Sequence, residues 1–401
     1  MKICSIRRGI GGGNRMFFNL YSQLTKMGAE VHVITNVPPL PGSSDGGDLI
    51  THWVGGKLDS ERFRFTYDLR FFTAATRLFL KLHREIGFDI IHMTGSNFPA
   101  VGLFLSLLSR VSGCRSAMGF SSFPLRKEEL KVLPKLIGDF PLWCRVLYPL
   151  AFSLPGKLWS WGLDAITVPS QIGASLLTQI GVNGNKVHFI PPGVDFQVFK
   201  RRPKAGQLPY QIVYASSCYP WKGTLDLLEA FGIAVSRGFA LELIYVFYTA
   251  RNQSPATQFF ISQLEQKIED MGLAEKVEIH DGPMEGIEQV IAQADVVACP
   301  IQVGVGTLDI PMSVLEGMAC GLPVLGTTVG GLPEAVMDGV NGYLVEPCAP
   351  KKLAEALIRI IQDPDRMRKM GEESLRLAKR FDVERCATLL RETYSALLSR
   401  G

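Results

Sequence analysis

The chain is 401 residues long, 47% hydrophobic and 20% charged, which is enough for two or three domains with their own cores and too apolar for a disordered protein. Its formal net charge of +4, with 42 Lys and Arg against 38 Asp and Glu, gives no strong nucleic-acid signal. Eight cysteines scattered from Cys4 to Cys386 without a CxxC pair argue against a zinc site and a secreted disulfide framework, and fit a reducing cytosol.

Met1 to Ile6 reads as an apolar strand that starts at once, so no signal peptide is expected. Arg7-Arg8-Gly9-Ile10-Gly11-Gly12-Gly13-Asn14 follows, then a helix over about 15–26 in which Met16, Phe17, Leu20, Tyr21 and Leu24 recur at helical spacing. With the strand Glu30 to Thr35 this makes strand, glycine loop, helix, strand, the unit of a parallel α/β sheet. The loop is not a dinucleotide fingerprint. Asn14 stands where the third glycine belongs, and no acidic residue closes the second strand.

Pro38 to Asp48 is a loop by its prolines and glycines, Phe63 to Ile86 a helix, and Phe88 to His92 a strand with His92 at its C-terminal end. Ligands of open α/β sheets bind beyond such ends, although a histidine there can equally be held by backbone. The apolar run Phe98 to Leu108 is too short to span a bilayer, which needs about 20 residues. Across 124–163, Arg126, Lys127, Lys131, Lys135, Arg145 and Lys157 alternate with aromatic and aliphatic residues, Trp143, Trp159 and Trp161 among them. Such a stretch suits either an anionic membrane interface or ordinary amphipathic helices with solvated lysines. Strands are expected over 163–170 and 186–190. Pro191-Pro192-Gly193-Val194-Asp195 then breaks regular structure, and the polar stretch 201–208 reads as a hinge.

A second alternation opens at Gln211 to Ser217, followed by Cys218-Tyr219-Pro220-Trp221-Lys222-Gly223 and a helix over 224–235. Lys222, in the loop before that helix, suits a phosphate as a mobile point charge; the plainer reading is a solvated lysine. Strands at Leu241–Phe247, Val277–His280 and Val296–Cys299 alternate with helices over 255–271 and 287–294. Pro311 to Gly326 then reads as helix, tight turn and buried strand. Pro311 fits the first helical position, Gly321 the stop, and Pro323 forbids continuation. The amides of Met312 and Ser313 fall in the first turn, where dipole and orphan donors favour an anion, and Glu316 lies one turn further in. Two more helices are expected, over 353–363 and from Phe381 onward.

Leu315-Glu316-Gly317-Met318-Ala319-Cys320-Gly321-Leu322-Pro323-Val324, followed by Gly330-Gly331-Leu332-Pro333-Glu334, resembles the donor-site signature of the group 1 retaining glycosyltransferases with the GT-B fold. The likeness extends over most of the chain. It implies an α/β protein of two Rossmann-like parallel-sheet domains facing each other across a cleft. Residues 1–190 would be the acceptor-side domain, 191–208 a linker, 209–380 the nucleotide-sugar domain and 381–401 a helix returning to the first domain. The implied activity is metal-independent hexosyl transfer, with retention, from a nucleotide-diphosphate-sugar to a glycan, lipid-linked or small-molecule acceptor. No cofactor is implied beyond that co-substrate. The implied location is the cytoplasm, with peripheral contact to the inner membrane face open to it through 124–163.

Residue by residue, the resemblance puts Gly11 and Gly12 against the donor phosphates and His92, from its Asp-x-x-His strand, on a hydroxyl of the donor sugar. Lys222 with Met312 and Ser313 would hold the diphosphate, and Glu316 the ribose. Two positions depart from the pattern. Ser217 stands where an arginine is usual, so Arg251 is the expected substitute, and Leu308 replaces a glutamate, which leaves Asp309 to accept from sugar hydroxyls. No metal site is expected. Those departures keep open a sugar-nucleotide- or partner-binding protein without turnover, and an epimerase is a third reading.

Overall fold

Strands and helices alternate along the chain and form two sheets in which every strand pair is parallel. The structure is a computed structural model that describes residues 1–7, 12–36, 49–54, 65–94, 99–120, 156–200, 208–248, 255–282, 284–304 and 309–399. Gly11, Arg251 and Leu308 lie outside these residues, as does most of 124–163.

The first sheet contains β1 (Lys2–Arg7), β2 (Glu30–Thr35), β3 (Ile50–Trp53), β4 (Ile90–Thr94), β5 (Arg115–Gly119), β6 (Ala165–Val168) and β7 (Val187–Phe189), in the order β3-β2-β1-β4-β5-β6-β7. The second contains β8 (Tyr210–Ser216), β9 (Leu241–Phe247), β10 (Val277–Asp281), β11 (Val296–Cys299), β12 (Val324–Thr327) and β13 (Gly342–Val345), in the order β10-β9-β8-β11-β12-β13. The winding direction reverses between β1 and β4 in one sheet and between β8 and β11 in the other. At such switch points the connections leave the strand ends in opposite directions and open a crevice.

Among the described residues the helices are α1 (Gly12–Lys26), α2 (Phe65–Ile86), α3 (Pro99–Ser112), α4 (Gln171–Gln179), α5 (Thr224–Ser236), α6 (Pro255–Asp270), α7 (Ile287–Gln293), α8 (Met312–Ala319), α9 (Pro350–Ile361), α10 (Pro364–Ala378) and α11 (Val383–Leu398). Single helical turns lie at Gly156–Trp159 and Leu332–Ala335. Helix α1 buries Met16, Phe17, Leu20, Tyr21 and Leu24, the stripe its spacing predicts. Helix α11 buries Val383, Cys386, Ala387, Leu390, Tyr394 and Leu397 in the same cluster, so the last helix of the chain packs on the first domain. Its start is pinned by the 191–200 segment: Val194 bridges Asp382 and exchanges backbone hydrogen bonds with Phe381 and Val383.

Several elements were not expected from sequence. The edge strand β3 is only four residues long, and α10 carries a polar surface that hides its period. The apolar run after Phe98, considered only as a membrane span, is helix α3, and β5 follows it. Among the described residues no helix is long and apolar enough to cross a membrane.

Candidate functional site

The second switch point is built by two connections. After β8 the chain makes a one-turn 3-10 helix, Pro220–Lys222, and Gly223 turns it into α5 with φ 77°. Only glycine fits: a Cβ on Gly223 would lie 1.8 Å from the Pro300 carbonyl oxygen. That contact, with a hydrogen bond of 3.0 Å from the Gln302 amide to the Trp221 carbonyl, ties the loop to the segment leaving β11. Lys222 is thereby 4% exposed beside Cys299. Burial brings its ammonium down from the ordinary 10.5 to about 8, and pushes the Cys299 thiol up to about 12.

The other connection leads from β11 into α8. Pro311, expected inside the helix, is its cap, in an extended conformation with φ −61° and ψ 136°. Its carbonyl accepts from the amides of Val314 and Leu315, so those of Met312 and Ser313 precede the helical ladder. Glu316 follows one turn on and is fully buried. Gly317 lets α8 settle on β11, since a Cβ there would be 2.6 Å from a Val297 methyl. Cys320 and Gly321 close the helix, Gly321 with φ 73°. Lys222 and the start of α8 thus leave adjacent strands on the same side of the crevice. Met312 also joins the buried cluster that holds Met16 and Phe17, which sets this helix start against α1 of the first domain. Gly12 opens α1, and Ser217 directly follows β8.

His92 is buried inside the first domain. Strand β4 continues two residues beyond it to Thr94, so His92 lies mid-strand. It is 0% exposed, with Nδ1 bonded to the hydroxyls of Tyr21 at 2.7 Å and Tyr394 at 2.5 Å. Its Nε2 is buried where a Cβ on Gly119 would come within 2.7 Å. Burial first, then the nearby Arg7 charge, brings its pKa down to about 3, so the ring is neutral. The strand end that faces the crevice is occupied by Thr94, whose hydroxyl accepts from Nε of Arg7 at 3.0 Å. Arg7 is 1% exposed, and Phe18 packs against its guanidinium with the ring centroid at 4.4 Å. Sequence reading passed over this pair. Its one signal was a basic residue closing β1 at the glycine loop.

Both carboxylate oxygens of Asp309 have partners within the protein. Its Oδ1 accepts from the Gly331 amide at 2.9 Å and its Oδ2 from the Ser170 hydroxyl, which belongs to the other domain. Among the described residues no three His, Cys, Asp or Glu side chains converge to hold a metal ion.

Residues 209–363 match the family described as "Glycosyl transferases group 1", and residues 11–193 the "Glycosyl transferase 4-like domain". The chain is 29% identical over 248 residues to the D-inositol 3-phosphate glycosyltransferase of Segniliparus rotundus, covering 59% of this chain and about half, 53%, of that protein. It is 24% identical over 411 residues to D-inositol 3-phosphate glycosyltransferase 1 of Catenulispora acidiphila, covering 98% and 93%. In fold it is similar to Anabaena HepE solved in complex with UDP and glucose, with a TM-score of 0.75, 18% identity and 99% and 100% of the two chains covered. With two adjoining family matches over most of its length and two parallel-sheet domains meeting at their switch points, the chain belongs to the group 1 glycosyltransferases of GT-B fold.

Proposed function

We propose that the protein transfers a sugar from a nucleotide-diphosphate-sugar to an acceptor, with retention of configuration and without a metal ion. The observation that carries this reading is the pairing, at the β8/β11 switch point, of the Lys222 loop with the start of α8. Lys222 and the Met312 and Ser313 amides receive the diphosphate as its charge develops, and Glu316 accepts from the ribose. Fixed positive groups aimed at developing charge are typically the largest catalytic term. They stand in for a cation, so a chelator should leave the rate unchanged. The acceptor attacks from the face the diphosphate leaves, and a departing phosphate oxygen takes its proton. Relatives named D-inositol 3-phosphate glycosyltransferase support glycosyl transfer, and the UDP bound by the Anabaena protein makes uridine diphosphate sugars the first donors to try.

A second reading, nucleotide-sugar binding without turnover, is favoured by the engagement of both Asp309 oxygens and by Ser217 and Leu308 in place of charged residues. A nucleotide-sugar panel read by product mass, with and without acceptor, decides. Transfer supports the first reading, binding with neither transfer nor hydrolysis the second, and a new nucleotide sugar formed without acceptor an epimerase.

The same reading places the enzyme in the cytosol, working on a lipid-linked or glycan acceptor with its first domain against the inner membrane face. Leu103, Leu107 and Val111 form one exposed stripe of α3, at 49, 63 and 68%. Trp161, 63% exposed, lies beside it under the guanidinium of Arg110. Residues 99–163 hold eight Lys and Arg against three Asp and Glu, so the rest of the chain is close to neutral. Exposed apolar residues beside Arg110, on a stretch that is net basic in sequence, suit anionic lipid. The protein should sediment with vesicles containing an anionic phospholipid, and Leu107→Glu with Val111→Glu should abolish this. Equal sedimentation of the double variant would remove the membrane from the reading.

A further inference from the structure

Helix α4 of the first domain points its N-terminus at the second domain, and all three of its first amides have acceptors. The Gly173 amide donates to Ser170 Oγ, the helix's own cap, at 2.9 Å. The next two acceptors come from 162 and 163 residues away: Gln171 donates to Glu334 Oε2 at 2.9 Å and Ile172 to Glu334 Oε1 at 2.6 Å. Ser170 Oγ, already accepting, donates its proton to Asp309 Oδ2. Two carboxylates of one domain therefore sit on the positive end of a helix of the other, where an anion is favoured by dipole and amides together.

The second domain is shaped for this contact. The Gly330-Gly331 pair leaves room for it: a Cβ on Gly330 would come 2.9 Å from Asp309 Oδ1, and one on Gly331 would meet Asp309 Oδ2 and the Ser170 Cβ, each at 2.9 Å. Gly330 also takes φ 61°. The Arg380 guanidinium donates to the carbonyl of Glu334 and fixes the Leu332–Ala335 turn from behind. Asp309 lies two residues before Pro311, the cap of α8.

We propose that Asp309 and Glu334 form an interdomain latch with the α4 N-terminus, and that they are positioning residues for transfer. The latch fixes the orientation of the first domain relative to the α8 start. The nucleotide end of a donor, held by the second domain, does not depend on it. The register between donor and acceptor does, and a misplacement of about 1 Å can cost up to a hundredfold in rate. A domain pair held loosely also admits water to the donor. Glu334→Gln replaces an accepting oxygen by a donor that cannot meet an amide, and Asp309→Asn removes the charge that faces the α4 N-terminus through Ser170.

The kinetic part rests on the proposed transferase activity; the structural part does not. Small-angle scattering of the full chain should show a larger radius of gyration for E334Q and D309N than for the wild type. Glu346→Gln, a surface variant of equal charge change, should match the wild type. Kd for UDP should stay within about twofold while kcat for transfer falls about tenfold or more and the fraction of donor lost to water rises. Unchanged scattering, or an unchanged transfer-to-hydrolysis ratio in an active enzyme, overturns the proposal. If the wild type transfers no sugar at all, the transferase reading fails and the scattering comparison still decides the latch.

Discussion

If Lys222 holds the donor diphosphate, as proposed, nucleotide affinity should fall in mildly alkaline solution. Its ammonium, depressed to about 8 by burial, is about nine-tenths charged at pH 7, half at pH 8 and one-tenth at pH 9. Only the charged form attracts phosphate, so UDP affinity should drop about tenfold between pH 7 and pH 9, or about 1.4 kcal/mol. The diphosphate does not titrate in this window, since a terminal phosphate has its second pKa near 6. Cys299, held up to about 12, adds no competing thiolate. Calorimetry in buffers of different ionisation heat should show proton uptake on binding at pH 8. Lys222→Gln should bind roughly 10- to 100-fold more weakly at pH 7 and lose the pH dependence, as expected for one charge-assisted contact of about 1.5–3 kcal/mol. Stability of the free protein should move the other way. With the folded pKa below the unfolded one, burial costs about 3 kcal/mol below pH 8, and this cost is relieved as pH rises from 8 to 10.5. Wild-type UDP affinity that changes less than twofold from pH 7 to pH 9 would refute this account of the site.

Three further outcomes follow from packing. Gly223→Ala should cost roughly 3 kcal/mol or more, lowering Tm by about 6–12 °C, while Gly238→Ala, with φ 90° but nothing within 4 Å of its Cβ, should cost only about 1 kcal/mol; thermal melts compare them. His92→Ala should lower stability by about 2–4 kcal/mol through the cavity and the stranded tyrosine hydroxyls, and leave UDP Kd within twofold at a temperature where it is folded. Leu390→Ala should cost about 2–5 kcal/mol and speed hydrogen exchange in β1 and α1 of the first domain but not in α5 and β9, because α11 belongs energetically to the first core.

The features legible in the sequence were those set by neighbours along the chain. The α8 helix, its stop at Gly321 and the buried strand after it follow from proline, glycine and apolar spacing, as does the strand-turn-helix around Lys222. Even there the local rule erred by one position, since Pro311 caps the helix instead of starting it. What local reading missed depends on partners far away. His92 looked like a strand terminus because nothing nearby shows β4 running on to Thr94. The tyrosines that hold its ring come from α1 and from a helix 302 residues later.

Asp309 shows the same limit from the other side. As a carboxylate beside the signature helix it invites a role in chemistry, and an Asp before a helix is also a ready cap. Its actual partner, Ser170, is 139 residues away and serves as the cap of α4. Once that contact is known, the Gly330-Gly331-Leu332-Pro333-Glu334 run can be understood physically: two glycines make room for the neighbouring domain, and the glutamate binds its helix amides. Half of the two-part signature therefore shapes how the lobes meet, and the other half, on α8, belongs to the segment proposed to hold the donor between them. A substitution in either half would depress transfer. Only one in the α8 half should weaken nucleotide binding as well, because the amides proposed to hold the phosphates belong to one lobe while the latch needs both.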